Sequence, residues 1–272
     1  MTLEQFDRPL LLIGCGNMAG AILSRWLETG LSPSLVTVID PGRKDIFEGI
    51  ALRPTLPEKL PENSVITLGI KPQLLPDIAP GLSPLLQEGH VIISMLAGLS
   101  IATLQGALGE QAGIIRIMPN TPVALGKGVC ALFAGPDTHD IDRHMVEGLL
   151  GPLGLVEWMD DEAQFNLITA LTGCGPAFVF RFVDALARAA AEIGLEHQQA
   201  LRLAVATVEG ASALAASADV DPATLADRVA SKGGMTREGL DVMDQDDRLV
   251  RLMVETLRAA RDRGVELEKL AQ

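Results

Sequence analysis

The sequence has no tyrosine, two tryptophans and seven phenylalanines, so aromatic residues make up only 3% of it. Its apolar share, 48%, is therefore aliphatic and rich in alanine. Small side chains of this kind let helices approach closely, and a surplus of apolar faces points to a subunit interface. Basic residues are also short: 22 Lys and Arg against 35 Asp and Glu leave a net charge of −13. A protein that grips nucleic acid carries a basic face, because phosphate contacts supply most of that affinity. No such face is visible, which counts against nucleic acid and anionic membranes as partners. An anionic ligand must then be held by local donors, not by the field of the whole chain.

Cysteine is scarce too. Cys15, Cys130 and Cys174 are odd in number and far apart. They offer no disulfide framework and no metal-ligand spacing, so no metal is expected and a reducing cytoplasm suits the chain. The first residues lack the apolar core of a signal peptide, and no apolar run is expected to reach the length of a membrane span. His90, His139, His144 and His197 sit in no motif; they are expected on the surface, without a catalytic role. There is no nucleophile elbow and no histidine–carboxylate pair tied to one site.

What is present is an ordered alternation. At 272 residues the chain holds one large domain or two ordinary ones. Apolar runs at Leu10 to Ile13, Leu35 to Ile39, Val65 to Ile70, Val91 to Ile93, Ile114 to Ile117 and Val129 to Phe133 are separated by helical spacing, beginning with Asn17 to Thr29. Such runs, buried on both faces, predict a parallel sheet with helices on each side. A helix over Thr138 to Leu150 and a strand near Val156 close this part. From about Asp160 only helical periodicity remains: Phe165 to Ile193, interrupted at Gly173-Cys174-Gly175-Pro176, then Gln198 to Ser217, a helix opened by Pro222 after Asp221 as cap, Thr236 to Gln245, and Asp247 to Leu270. The expectation is an α/β fold: a Rossmann-type dinucleotide-binding domain over 1–159 with a mostly parallel sheet, then an all-helical domain over 160–272.

Gly14-Cys15-Gly16-Asn17-Met18-Ala19 follows an apolar strand and opens a helix. Gly14 permits a tight turn, Gly16 lets backbone approach a pyrophosphate, and Ala19 lets the helix pack close to the sheet, with phosphate on the helix N-terminus. The plainer reading is an ordinary Gly-rich turn. Asp40 ends the second strand, where an acid binds a ribose 2′-hydroxyl and favours NAD. Arg43 and Lys44 follow closely and suit a 2′-phosphate, while Asp-Pro-Gly is also good turn chemistry; the choice stays open. Gly69-Ile70-Lys71-Pro72, Ser94 to Gly98 and Arg116 to Pro122 lie beyond later strands, at the edge where open sheets bind ligands. Asn120 there is a candidate to hydrogen-bond a nicotinamide amide or a substrate, or equally turn punctuation between two prolines. Ser231-Lys232-Gly233-Gly234-Met235-Thr236 precedes a helix and exposes several N–H groups, either a nest for a carboxylate or a plain interhelical loop.

Together these motifs resemble pyrroline-5-carboxylate reductases over nearly the whole chain, with Thr169 to Phe178 (TALTGCGPAF) and Ser231 to Thr236 (SKGGMT) the most specific. The resemblance implies reduction of the cyclic imine pyrroline-5-carboxylate to proline with NADPH or NADH, and helical domains that interlock into a homodimer or a larger assembly of dimers. It places Gly14, Cys15, Gly16, Asn17 and Met18 on the pyrophosphate. Ile70, Lys71 and Pro72 line the cofactor, and Ala97 lies near the nicotinamide; Asp40 and Asn120 complete the candidate set. Ser231, Gly233, Gly234, Met235 and Thr236 hold the substrate carboxylate, and Glu162 lies close to the substrate. Thr236 is the candidate to orient the ring nitrogen. Cys174 replaces a usual serine, Lys232 replaces a usual proline, and Met235 occupies a variable position. β-Hydroxyacid dehydrogenases also pair a Rossmann domain with helices, but the position of their catalytic lysine, four residues after Gly175, is Val179 here. The alternatives are a reductase of another cyclic imine and a non-catalytic dinucleotide sensor.

Overall fold

Leu10–Ile13 (β1) is four buried aliphatic residues in succession, the pattern of a strand covered on both faces. The computed structural model describes residues 2–271 and puts β1 in the middle of an eight-stranded sheet. The strands are β2 (Val36–Ile39), β3 (Ala51–Arg53), β4 (Val65–Leu68), β5 (Val91–Ser94), β6 (Gly113–Pro119), β7 (Gly128–Ala134) and β8 (Gly154–Trp158). Their spatial order is β3-β2-β1-β4-β5-β6-β7-β8, so the chain reverses its direction of travel across the sheet between β1 and β4. Every pairing is parallel except β6 with β7, which run antiparallel.

Two apolar layers cover the faces. One packs α1 (Asn17–Glu28) and α4 (Asp140–Leu150) on the sheet; the other packs α2 (Leu75–Leu82) and α3 (Ile101–Leu108). Trp26 is buried in the first layer, and its Nε1 donates to the Leu149 carbonyl at 2.7 Å, which satisfies its polar edge and ties α1 to α4. His90, expected on the surface, is buried in the turn before β5. Its ring nitrogens meet the Pro61 carbonyl at 2.9 Å and the Gln87 N–H at 3.3 Å. Burial pushes its pKa below the usual value, against the opposing effect of the Pro61 hydrogen bond.

The helical part consists of α5 (Phe165–Ile168), a π-helical turn over Thr169–Gly173, α6 (Gly175–Glu192), α7 (His197–Ser217), α8 (Pro222–Arg228), α9 (Met235–Asp244) and α10 (Arg248–Ala271). Two caps carry clear local signals. Glu196 accepts from the N–H groups of Gln198 and Gln199, and Asp221 from that of Thr224, ahead of Pro222 as expected. These hydrogen bonds hold both carboxyls below their usual pKa.

The chain changes from strand to helix where the boundary at 159/160 was expected, but its compact units part at 174/175. Gly175–Ala259 forms one unit, and the end of α10 belongs with the other. The reason is visible in the contacts: Phe165 is buried under Arg116, the Asn120 amide donates to the Thr172 carbonyl at 2.9 Å, and Asn166 donates to Glu268 at 2.8 Å.

The unit Gly175–Ala259 has a small core of its own, Ala187, Ala200 and Ala204 with Val183 and Ala190 against them. Phe180, Leu203, Leu214, Val250 and Leu252 stay exposed. Each such side chain left in water forgoes about 1.5–3 kcal/mol of burial. The expectation about spanning length needs correction here: the helical stretches Glu162–Glu192 and His197–Ser217 are long and apolar enough to cross a membrane by length and composition. Charged residues such as Arg181, Asp184 and Arg202 interrupt each run, while alanine, leucine and valine keep the average high.

Candidate functional site

The site begins at the end of β1. Gly14 has φ +82°, and a Cβ there would stand 2.7 Å from Ile70 Cγ2. A Cβ on Gly69 would stand 2.7 Å from the Gly14 carbonyl oxygen and 2.8 Å from the Ala19 Cβ. The turns after β1 and β4 therefore lie against each other and need glycine at both places. Gly16 differs: a Cβ there would meet nothing within 4 Å. It is the N-cap of α1, no side chain caps the helix, and its first turn holds no acidic residue. Uncapped N–H groups and the positive end of the helix dipole thus face open space, which fits a pyrophosphate.

A cleft of about 640 Å³ opens beyond β1, β2 and β4, lined by Gly14, Cys15, Gly16, Asp40 and Ile70 among others. A second recess, about 250 Å³, continues from Gly16, Asn17, Met18 and Ile70 to Met95 and Met118. Pro72 and Ala97 line a third cavity of about 830 Å³, whose wall also contains Arg116, Phe165 and Leu267. Nine of the expected cofactor residues thus line these spaces. Lys71 is exposed beside them, as the residue before a 3-10 turn at Pro72–Leu74. Such clefts at the carboxyl ends of parallel strands, where strand order reverses, are where nucleotides bind.

Asn120 does something else. It is buried; its Oδ1 accepts from the Val129 N–H at 2.8 Å while its Nδ2 donates to Thr172. Both ends of the amide are engaged, so the side chain ties β7 to the π-helical turn. The flanking prolines gave no sign of this, because both partners are distant in sequence.

Glu162 is likewise engaged. Its Oε1 accepts from Arg116 Nη1 at 2.5 Å and from the Ile101 N–H, at the start of α3, at 2.7 Å. Arg116 is buried, with its guanidinium 4.4 Å from the centre of the Phe165 ring. Sequence reading placed Arg116 inside a motif and gave it no role. Met95, Met118 and Asp77 were also missed as lining residues; only the register of the sheet and the packing of α2 bring them there.

In the turn of Cys15, the Sγ accepts from Arg43 Nη1 at 2.8 Å. Burial pushes this thiol up from its usual pKa, with Arg43 pulling in the opposite sense. Cys130, deep in β7, is pushed up to about 12 by burial alone. Among the described residues no cluster has the make-up of a metal site.

The second candidate element stands in the unit Gly175–Ala259. Ser231 to Gly234 forms the turn between α8 and α9: Gly233 has φ +72°, and the Gly234 N–H donates to the Ser231 carbonyl at 2.9 Å. A Cβ on Gly234 would stand 2.5 Å from Ser231 Oγ, so the hydroxyl lies folded over this glycine. No side chain caps α9, whose first two residues are Met235 and Thr236, both exposed. This is an uncapped helix start beside two hydroxyl side chains, with the donor set for a carboxylate. Arg237 braces it, reaching Asp227 of α8 at 3.0 Å and Asp241 of its own helix at 2.9 Å.

Residues 162–267 match the family described as pyrroline-5-carboxylate reductase dimerisation, and residues 10–98 match NADP oxidoreductase, coenzyme F420-dependent. A pyrroline-5-carboxylate reductase of Pseudomonas aeruginosa is 32% identical over 97% of this chain and 98% of its own. The chain belongs to the pyrroline-5-carboxylate reductase family. A reductase of that name from Pisum sativum is 34% identical over 86% of each chain. The solved pyrroline-5-carboxylate reductase of Coxiella burnetii, 28% identical, superimposes with a TM-score of 0.86 over 96% of this chain and 99% of that one. The family is one of NAD(P)H-dependent oxidoreductases, and its dimerisation segment makes this chain a homo-oligomer. It also accounts for the exposed apolar surface of Gly175–Ala259 and of the two long apolar helical stretches.

Proposed function

We propose that the protein reduces 1-pyrroline-5-carboxylate to L-proline, the last step of proline biosynthesis, with NADPH or NADH as reductant. The observation that carries this reading is the pairing, in one chain of this family, of an uncapped α1 behind Gly14 and Gly16 with an uncapped α9 behind Gly233 and Gly234. One suits a dinucleotide pyrophosphate, the other a small carboxylate.

The bound cofactor supplies a hydride. Gly14 through Met18 hold the pyrophosphate, Asp40 the adenosine ribose, and Ile70, Lys71, Pro72 and Ala97 the remainder toward the nicotinamide. Ser231, Gly233, Gly234, Met235 and Thr236 fix the substrate carboxylate, and holding each ligand in one orientation is the protein's contribution to the rate. The hydride would pass to the carbon of an imine already protonated on its ring nitrogen, so that the product is the secondary amine. A protonated imine is electrophilic enough to need no strong base, which suits a site without histidine. Thr236 would orient the nitrogen and pass the proton from solvent to it before hydride arrives. Glu162 serves this chemistry through Arg116 and the start of α3, as a positioning residue.

The functional division at 159/160 separates cofactor-holding from substrate-holding and dimer-forming parts. The assembly is a homodimer or is built from homodimers, and its compartment is the cytoplasm, consistent with three free thiols. The test is direct: mix the protein with pyrroline-5-carboxylate and each reduced cofactor, follow nicotinamide absorbance, and assay for proline. Stoichiometric oxidation with proline formation is expected. No oxidation with either cofactor overturns the reading in favour of a dinucleotide sensor.

A further inference from the structure

Asp40 and its neighbours Arg43 and Lys44 argue for opposite cofactors in sequence, and the structure separates them. Asp40 lines the 640 Å³ cleft; so does Asp77 of α2, and no lysine, arginine or histidine stands among the residues lining it. Arg43 lies over the first turn of α1, with Nη1 on Cys15 Sγ at 2.8 Å and 4.0 Å from where a Gly20 Cβ would be. Lys44 is exposed. Asp40 itself is held firmly: Oδ2 accepts from the Cys15 N–H at 3.0 Å and Oδ1 from the Gly42 N–H at 3.0 Å. Each oxygen keeps a lone pair for a further donor, and a carboxylate only accepts.

A ribose 2′-hydroxyl can donate to such a group. A 2′-phosphate brings about two negative charges to a cleft whose lining has two carboxylates and no cation, with Arg43 turned onto Cys15 Sγ. We propose that Asp40 makes this protein select NADH over NADPH. The inference rests on the dinucleotide reading of the cleft and goes further than family membership, which covers both cofactors.

The test is equilibrium titration of the full-length protein with NADH and with NADPH, without substrate, followed by nicotinamide fluorescence. NADH is expected to bind at least tenfold more tightly. The gap should narrow as salt rises, because screening weakens repulsion and leaves a hydroxyl hydrogen bond nearly untouched. Asp40→Ser should bring the ratio within threefold of unity. Equal or tighter NADPH binding by the parent overturns the proposal, as does a ratio unchanged by Asp40→Ser. Should that variant melt early, the parent's ratio and its salt dependence decide the matter alone. Failure of the proposed reaction reads out separately, as binding without oxidation when pyrroline-5-carboxylate is added.

Discussion

Arg116 Nη1 stands 2.5 Å from Glu162 Oε1, and that one oxygen also takes the Ile101 N–H. A single carboxylate thus joins β6, the start of α3 and the entry to the helical chain. The side chain of Arg116 is 6% exposed and that of Glu162 25%. Removing the carboxylate strands a buried cation. Glu162→Ala should cost about 3 kcal/mol, the low end for a broken buried pair because Glu162 is partly wetted. Thermal melting should then fall by roughly 6–12 °C. A melting point within 2 °C of the parent, on the same scale of about 2–4 °C per kcal/mol, would show that solvent replaces the pair.

The two glycines of the first turn should fail differently. Gly14→Ala meets both a positive φ and Ile70, so it should destabilise the fold. Gly16→Ala projects into open space with φ −71°, so it should melt within roughly 2 °C of the parent. Its added methyl occupies the approach of the pyrophosphate, and the KM for reduced cofactor should rise about tenfold, or about 1.4 kcal/mol. Unchanged cofactor KM in Gly16→Ala would remove the pyrophosphate from this position.

Thr236→Ala should lower kcat/KM for pyrroline-5-carboxylate about 100-fold, the low end for a positioned proton carrier. Cofactor affinity should not change, and Thr236→Ser should restore most of the activity. Full kcat/KM in the alanine variant would exclude the hydroxyl from the reaction. Lys232→Pro tests whether the exposed ammonium beside Gly233 contributes to substrate affinity. KM for the substrate should rise while kcat holds.

Cys130 gives the protein an alkaline weakness. Its folded pKa is about 12 against 9.0 for a free thiol. Between these values the unfolded chain has released the proton and the folded chain keeps it, so stability falls as pH rises. The group's contribution is intact below pH 9 and declines toward pH 12 by roughly 4 kcal/mol. Denaturant titrations across that range should show the decline, and Cys130→Ala should flatten the slope whatever its effect at neutral pH. An equal slope in both proteins would assign the weakness to other groups.

Phe180 is 68% exposed on α6. In a symmetric dimer each such residue counts twice, at about 1.5–3 kcal/mol a copy. Phe180→Asp should turn the assembly monomeric at concentrations where the parent is dimeric, as sedimentation velocity would show. An unaltered dimer would place Phe180 outside the interface.

Much of this was legible before any coordinates. Leu10–Ile13 and Val65–Leu68 read as strands because they are short aliphatic runs closed by glycine or by Lys-Pro, and Asp221-Pro222 reads as a helix start because cap chemistry is local. β3 escaped notice since Ala51–Arg53 is a short, half-exposed edge with no apolar run. The antiparallel turn of β7 against β6 escaped because buried strands look alike in either direction. His90, read as a surface residue, is buried because Pro61, Gln87 and the sheet enclose it.

The amino-acid order alone determined the alternation of strand and helix, the glycine turns at Gly14 and Gly233, and hence a chain with donors for a dinucleotide and for a carboxylate. These depend on neighbours a few residues away, whose sterics and free N–H groups are written locally. Tertiary structure decided the rest. It spent the amide of Asn120 on Val129 and Thr172, gave Glu162 to Arg116, and left Asp40 in the cleft while Arg43 lay over Cys15. A side chain with several possible partners is assigned by whichever distant backbone the fold brings within 3 Å, a distance set by packing.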